Sequence, residues 1–115
     1  MPKDRLYLLN APFADPAYPG REFYCEHCIL MEGVIATHPA LAERIEIHRI
    51  DWQRPRPELV DLLGSANQSC PVLILSDSGE DCDTVQSAGS VSFINDKDAI
   101  LRALACRHGL PEAHP

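Results

Sequence analysis

Positive charge is what this 115-residue chain has too little of: 10 Lys and Arg stand against 17 Asp and Glu, a formal net charge of -7. Such a chain repels phosphates and anionic lipid heads, which argues against nucleic acid or a membrane surface as partner and favours a basic or amphipathic protein. Long apolar runs are missing as well, since no segment approaches the roughly 20 residues that a membrane span needs. Met1-Pro2-Lys3-Asp4-Arg5 carries no apolar run behind its charges, so a cytoplasmic protein is expected. There are no internal repeats and no low-complexity tracts. The length suits one core and excludes two, which predicts a single domain over 1–115. Hydrophobic residues make up 45% and charged ones 23%, enough apolar surface to offset the entropy of ordering, with a flexible tail expected over 110–115. The five cysteines are an odd number, against a fully paired disulfide framework and, in a reducing compartment, for thiols that are catalytic, metal-binding or buried.

Apolar segments alternate between short branched runs and longer ones with helical spacing, the pattern of a sheet covered by helices. Leu6 to Leu9 reads as the first strand. Asn10 to Gly20 holds three prolines and a glycine, which predicts an irregular loop over 10–24, long enough to serve as a lid. Met31, Val34, Ile35 and His38 recur at i, i+3, i+4 and i+7, one face of a helix from Cys25 to Thr37 that His38-Pro39 ends. Ala40 to Arg44 extends it briefly. Ile45 to Ile50 alternates, placing its isoleucines on one side of a strand and His48 on the other. Leu59, Leu62 and Leu63 give a two-turn helix stopped by Gly64. Cys70 to Leu75 is a strand buried on both faces, with Pro71 near its start. Asp77 to Gly89 is acidic and expected to be flexible. Ser90 to Ile94 is the last strand. Asn95 is expected to cap a final helix whose Leu101, Leu104, Ala105 and His108 share a face. The order is β-α-β-α-β-β-α.

Cys25-Glu26-His27-Cys28 is the segment that carries chemistry. Two thiols three positions apart follow a strand and open a helix, the context of a dithiol redox site. A sulfur at a helix N-terminus meets unsatisfied amides and a partial positive charge, so Cys25 should be more acidic than Cys28. Their spacing puts both sulfurs on one helix face, where the second can attack a disulfide formed by the first. The imidazole of His27 favours a thiolate, whereas the carboxylate of Glu26 opposes it. The plainer alternative is that both cysteines are incidental small apolar residues.

That order, with a CxxC opening the first helix and a proline at the third strand, resembles the thioredoxin-like superfamily over nearly the whole chain. It is also similar to a family of uncharacterised bacterial thioredoxin-like proteins whose members share stretches like Asp15-Pro16-Ala17-Tyr18-Pro19-Gly20, Phe23-Tyr24-Cys25 and Asn95-Asp96-Lys97-Asp98. The resemblance implies an α/β thioredoxin-like fold, a central mixed four-stranded sheet flanked by helices. It also implies a thiol-disulfide oxidoreductase in which Cys25 is the nucleophile, Cys28 resolves the mixed disulfide, His27 tunes the pair and a cis Pro71 faces them. The substrate would be a protein or a low-molecular-weight thiol or disulfide, with no resident cofactor. Glutaredoxins and glutathione transferases hold the γ-glutamyl end of glutathione at the start of the corresponding last helix, which makes Asn95 and Asp96 candidate substrate contacts. Lys97 stands where the transferase pattern has serine. Arg21 and Tyr24 are candidates for the remaining positive and hydrogen-bonding contacts.

Cys70 departs from the thiol-free residue that usually precedes the cis proline, and it is a candidate substrate contact. Its presence also opens a rival reading. Cys25, Cys28 and Cys70 with His27 nearby offer soft ligands to zinc, copper(I) or, with a partner molecule, an iron-sulfur cluster; the plain alternative for Cys70 is a small buried hydrophobe. A second rival is a non-catalytic protein-binding module. Cys82 lies between Asp81 and Asp83, which disfavour a thiolate. Cys106 reads as a packing residue of the last helix, and His38, His48, His108 and His114 as isolated surface or packing residues.

Overall fold

Five strands join in one mixed sheet in the computed structural model, which describes residues 2–115. The elements are β1 (Arg5–Leu9), β2 (Phe13–Ala14), β3 (Glu22–Phe23), α1 (Glu26–Thr37), α2 (Leu41–Arg44), β4 (Glu46–Ile50), α3 (Pro57–Leu63), β5 (Val72–Ile74), β6 (Gln86–Ala88), β7 (Val91–Ile94) and α4 (Lys97–His108). The sheet order is β4-β1-β5-β7-β6. β1 runs parallel to β4, and the β1-β5, β5-β7 and β7-β6 pairs are antiparallel. Parallel neighbours need a crossover, and α1 with α2 supplies it between β1 and β4. Leu6, Tyr7, Leu8 and Leu9 are all buried, so β1 is covered on both faces and its run of apolar residues needs no alternation. Among the described residues, no helix is long and apolar enough to cross a membrane.

Several expectations from sequence are corrected. The sheet has five strands where four were expected, because Gln86–Ala88 pairs with β7 through the Gly89-Ser90 turn. Gly89 takes φ +60 there, a conformation that favours glycine at the start of a tight hairpin turn. The 10–24 segment is also partly regular. Phe13 pairs with Phe23 and Ala14 with Glu22, and the Asp15 carboxylate turns the chain by accepting the Ala17 amide at 2.9 Å. Phe13 then stacks on Trp52 with ring centroids 5.3 Å apart. The isoleucines of β4 do not share one side, since a period of two puts Ile47 and Ile50 on opposite faces. His48 stacks on its parallel neighbour Tyr7 at 4.7 Å. Cys70 and Pro71 precede β5, as suits a proline with no N–H to give the ladder.

The last helix is capped by Asp96, whose side chain accepts the Ala99 amide at 2.9 Å, while Asn95 accepts from Gln86. Its buried stripe is Ala99, Ile100, Ala103 and Leu104, rotated from the expected one because two alanines give the closest-packing face. Cys106 is exposed, not packed. Past that stripe, Arg107 clamps the buried carboxylate of Asp4 with two bonds of 2.8 Å, and His108 adds a third of 2.8 Å. The Ser76 amide completes the shell at 2.8 Å. This corner lies beyond the start of β1 and the end of β5, at the sheet end opposite the CxxC segment.

Candidate functional site

The register gathers the chemistry-bearing segments at one end of the sheet. Leu9 pairs with Ile50, Tyr7 with Val72, and Leu73 with Ile94. The 10–24 segment, the 51–56 connection, Cys70-Pro71 and the entry to α4 therefore all leave or enter the sheet on the same side, and α1 begins there.

Cys25 is the N-cap of α1, with extended φ -78 and ψ 118. Its sulfur accepts the Cys28 amide at 3.2 Å, the place a Ser, Thr, Asp or Asn oxygen ordinarily fills. Its carbonyl already accepts the Ile29 amide at 2.9 Å. Cys25 is half-buried and its sulfur lies 3.8 Å from the carbonyl oxygen of Cys70, whose bond to Pro71 is cis. Cys28, on the first turn, is buried, and its sulfur accepts the Leu9 amide at 3.5 Å. Both thiols are free.

This arrangement drives the two sulfurs apart in acidity. A hydrogen bond from the Cys28 thiol pulls Cys25 down to about 6, against burial, helped by the amides of Cys28 and His27 and by the His27 charge. The same bond, then burial, pushes Cys28 far up, and only the Leu9 amide works the other way. Cys25 is therefore the sulfur that ionises, and Cys28 holds the proton beside it. Burial pushes Cys70 up to about 11, opposed by the charge of Arg56. His27 is half-exposed, and its Nε2 lies 3.7 Å from the exposed carboxylate of Glu26, so the two neighbours expected to oppose each other face one another.

Tyr24, next to Cys25, is 62% exposed. The Arg21 guanidinium lies over the rings of Tyr18 and Phe23, at 5.7 and 5.2 Å, engaged with the β2-β3 segment rather than directed at the sulfurs. Asn95 and Asp96 are held by Gln86 and Ala99. Among the described residues, no group of three or more His, Cys, Asp or Glu side chains is arranged to hold a metal ion. A cleft of about 560 Å³ is lined by Asn10, Phe13, Trp52, Arg54 and Arg56, among others, but by no cysteine. Cys82, up at about 11 from burial and the Asp81 carboxylate, stands outside the site.

One residue of the neighbourhood escaped the sequence reading. Arg56, the N-cap residue of α3, is 5% exposed. Its guanidinium donates to the carbonyls of Trp52 and Gln68, and its own amide donates to the Gln68 side chain at 2.7 Å. Burial lowers its pKa, and the cysteines raise it, Cys70 foremost. Nothing periodic marks Arg56 in Arg54-Pro55-Arg56-Pro57; its burial follows from the distant segment that folds over it.

No curated protein and no solved structure matches the chain. A family model described as a protein of unknown function (DUF3088) matches residues 3–112, nearly the whole length, and the chain belongs to that family.

Proposed function

We propose that the protein is a thiol-disulfide oxidoreductase of thioredoxin-like architecture, with Cys25 attacking and Cys28 resolving. The observation that carries this reading is the Cys25 sulfur, which caps α1 and accepts the amide of Cys28 at 3.2 Å while Cys28 lies buried beside it. Ordinary packing cysteines have no reason to be driven so far apart in acidity. The cis bond at Cys70-Pro71, whose carbonyl faces Cys25, supports the thioredoxin-like reading. So does the element order, once the short β2-β3 pair, α2 and the edge strand β6 are set aside.

The reaction runs by thiol-disulfide exchange. The Cys25 thiolate attacks one sulfur of a substrate disulfide, a Cys25-substrate disulfide forms, and the other substrate sulfur departs as a thiolate that takes a proton. Cys25 then bears no negative charge, so the hydrogen bond and repulsion that kept Cys28 protonated disappear together. The Leu9 amide favours the Cys28 thiolate. After losing its proton, Cys28 attacks the Cys25 sulfur, releases the substrate's second sulfur as a thiol and leaves a Cys25-Cys28 disulfide. The substrate gains two electrons and the protein loses two. The reverse sequence oxidises a dithiol.

The test is a pair of variants assayed with a model disulfide and a model dithiol. Cys25→Ser should abolish exchange, and Cys28→Ser should accumulate mixed disulfides through Cys25, seen by mass. Undiminished exchange in Cys25→Ser would remove the reading.

A further inference from the structure

We propose that the cavity beside Pro16 is a binding site for a small organic anion, in which Arg54 and Arg56 take a carboxylate or phosphate group and Trp52 covers the apolar body that carries it. No cysteine lines this cavity, so the inference goes beyond the redox reading and does not rest on it.

Two hollows meet along the 52–56 connection. The cleft of about 560 Å³ described above and a second of about 380 Å³ share Trp52, Gln53, Arg54 and Arg56. The larger one also carries two acids, Asp51 and Glu58, and Asp51 accepts the Asn10 side-chain amide at 3.3 Å. The smaller one is lined by Pro16, Trp52, Gln53, Arg54 and Arg56, two cations and no carboxylate. In a chain of net charge -7, that lining makes a local exception where an anion is attracted.

Arg56 is the stronger indication. A guanidinium removed from water is costly unless opposite charge meets it. Arg49, Arg102 and Arg107 each pair with a carboxylate. Arg56 is 5% exposed, yet its bonds go to neutral carbonyls: Nε and one terminal nitrogen to Trp52, at 2.9 and 2.6 Å, and the other terminal nitrogen to Gln68. A guanidinium carries five N–H donors, so one N–H on each terminal nitrogen is left without an acceptor among the described residues, in a residue that lines both hollows. Two such donors match two oxygens of a carboxylate or phosphate group. Arg54, exposed, brings a second cation to the same cavity. Trp52 is held by its stack on Phe13 at 5.3 Å and lines both hollows as well, a flat apolar wall suited to an oxyanion carried on a ring rather than to a bare inorganic ion.

Trp52 is the single tryptophan of the chain, so its fluorescence and its indole N–H resonance report on this site directly. The experiment titrates the full chain with benzoate, phenyl phosphate and, as a ring of opposite charge, benzylamine. Benzoate or phenyl phosphate should shift the Trp52 signals and saturate below about 10 mM, and saturation by one of the two alone supports the site and tells which oxyanion it takes. Benzylamine should leave the signals unchanged. Arg54→Gln alters an exposed side chain and should weaken binding by about tenfold, as expected for a lost hydrogen bond to a charged group. Cys25→Ser should bind with the wild-type midpoint, so a failure of the redox reading leaves this inference standing. Absence of saturation by both anions in wild type, an equal response to benzylamine, or wild-type affinity in folded Arg54→Gln overturns it.

Discussion

The backbone amide of Leu9 is aimed at the sulfur of Cys28 from 3.5 Å, and both residues are buried. The last amide of the first strand is thus committed to the CxxC helix. Removing the acceptor leaves a buried N–H without a partner. Cys28→Ala should cost about 1–3 kcal/mol in denaturant unfolding of the reduced protein, and Cys28→Ser, whose oxygen can accept, should cost less. Equal losses in the two variants would show that the amide-sulfur bond contributes nothing.

The acidity of Cys25 makes the reduced fold depend on pH. Its folded value of about 6 lies below the ordinary 9.0, so the contribution is complete above the unfolded value and is lost as pH falls through about 6. Reduced wild type should therefore gain stability between pH 6 and 9 relative to Cys25→Ser, measured by chemical denaturation with reductant present. Cys28→Ala should raise the thiolate midpoint more than His27→Ala, because the Cys28 bond is the leading cause and the imidazole a lesser one. The reverse ranking would contradict the assignment.

Asp4 should be the stability-determining carboxylate. Burial pushes its pKa up, but the bonds from Arg107, the Ser76 amide and His108 outweigh it and hold the group well below the ordinary 3.8. Its contribution is then complete above that ordinary value and is lost as acidification proceeds through the depressed one. Asp4→Asn should lose about 1–3 kcal/mol at neutral pH, since the buried charge-assisted bonds are weakened while Arg107 keeps its outer partners Asp77 and Asp81. An Asp4→Asn protein with wild-type unfolding would place the strength of this corner elsewhere.

Two glycines should respond with opposite signs. Gly33 lies within α1 with nothing near a would-be Cβ, so Gly33→Ala should stabilise by about 0.5–1 kcal/mol through helix propensity. Gly79 has φ +69, and a Cβ there meets the Leu75 and Val85 side chains, so Gly79→Ala should destabilise by about 1–3 kcal/mol. Thermal unfolding of both variants tests the pair.

The parts legible in sequence were those written locally. The CxxC spacing, the Gly64 stop and the His38-Pro39 helix end are signals carried within a few residues. The β6-β7 hairpin was also written locally, in Ala88-Gly89-Ser90-Val91, but its polar strand hid it. Arg56 and Asp4 were not legible, because each is a charged residue whose burial is made by a segment far away in the chain: Gln68 for one, Arg107 for the other. The phase of β4 misled because Ile50 breaks the alternation that Ile45 and Ile47 begin.

The Asp4-Arg107 clamp joins positions 103 residues apart. During synthesis, Asp4 is made 103 residues before its guanidinium partner. Until then the first strand carries an unpaired carboxylate that favours water over the core. The corner opposite the thiols can therefore close only once α4 has been made, so the charge at the head of β1 is satisfied by a helix far along the chain and not by its own neighbours.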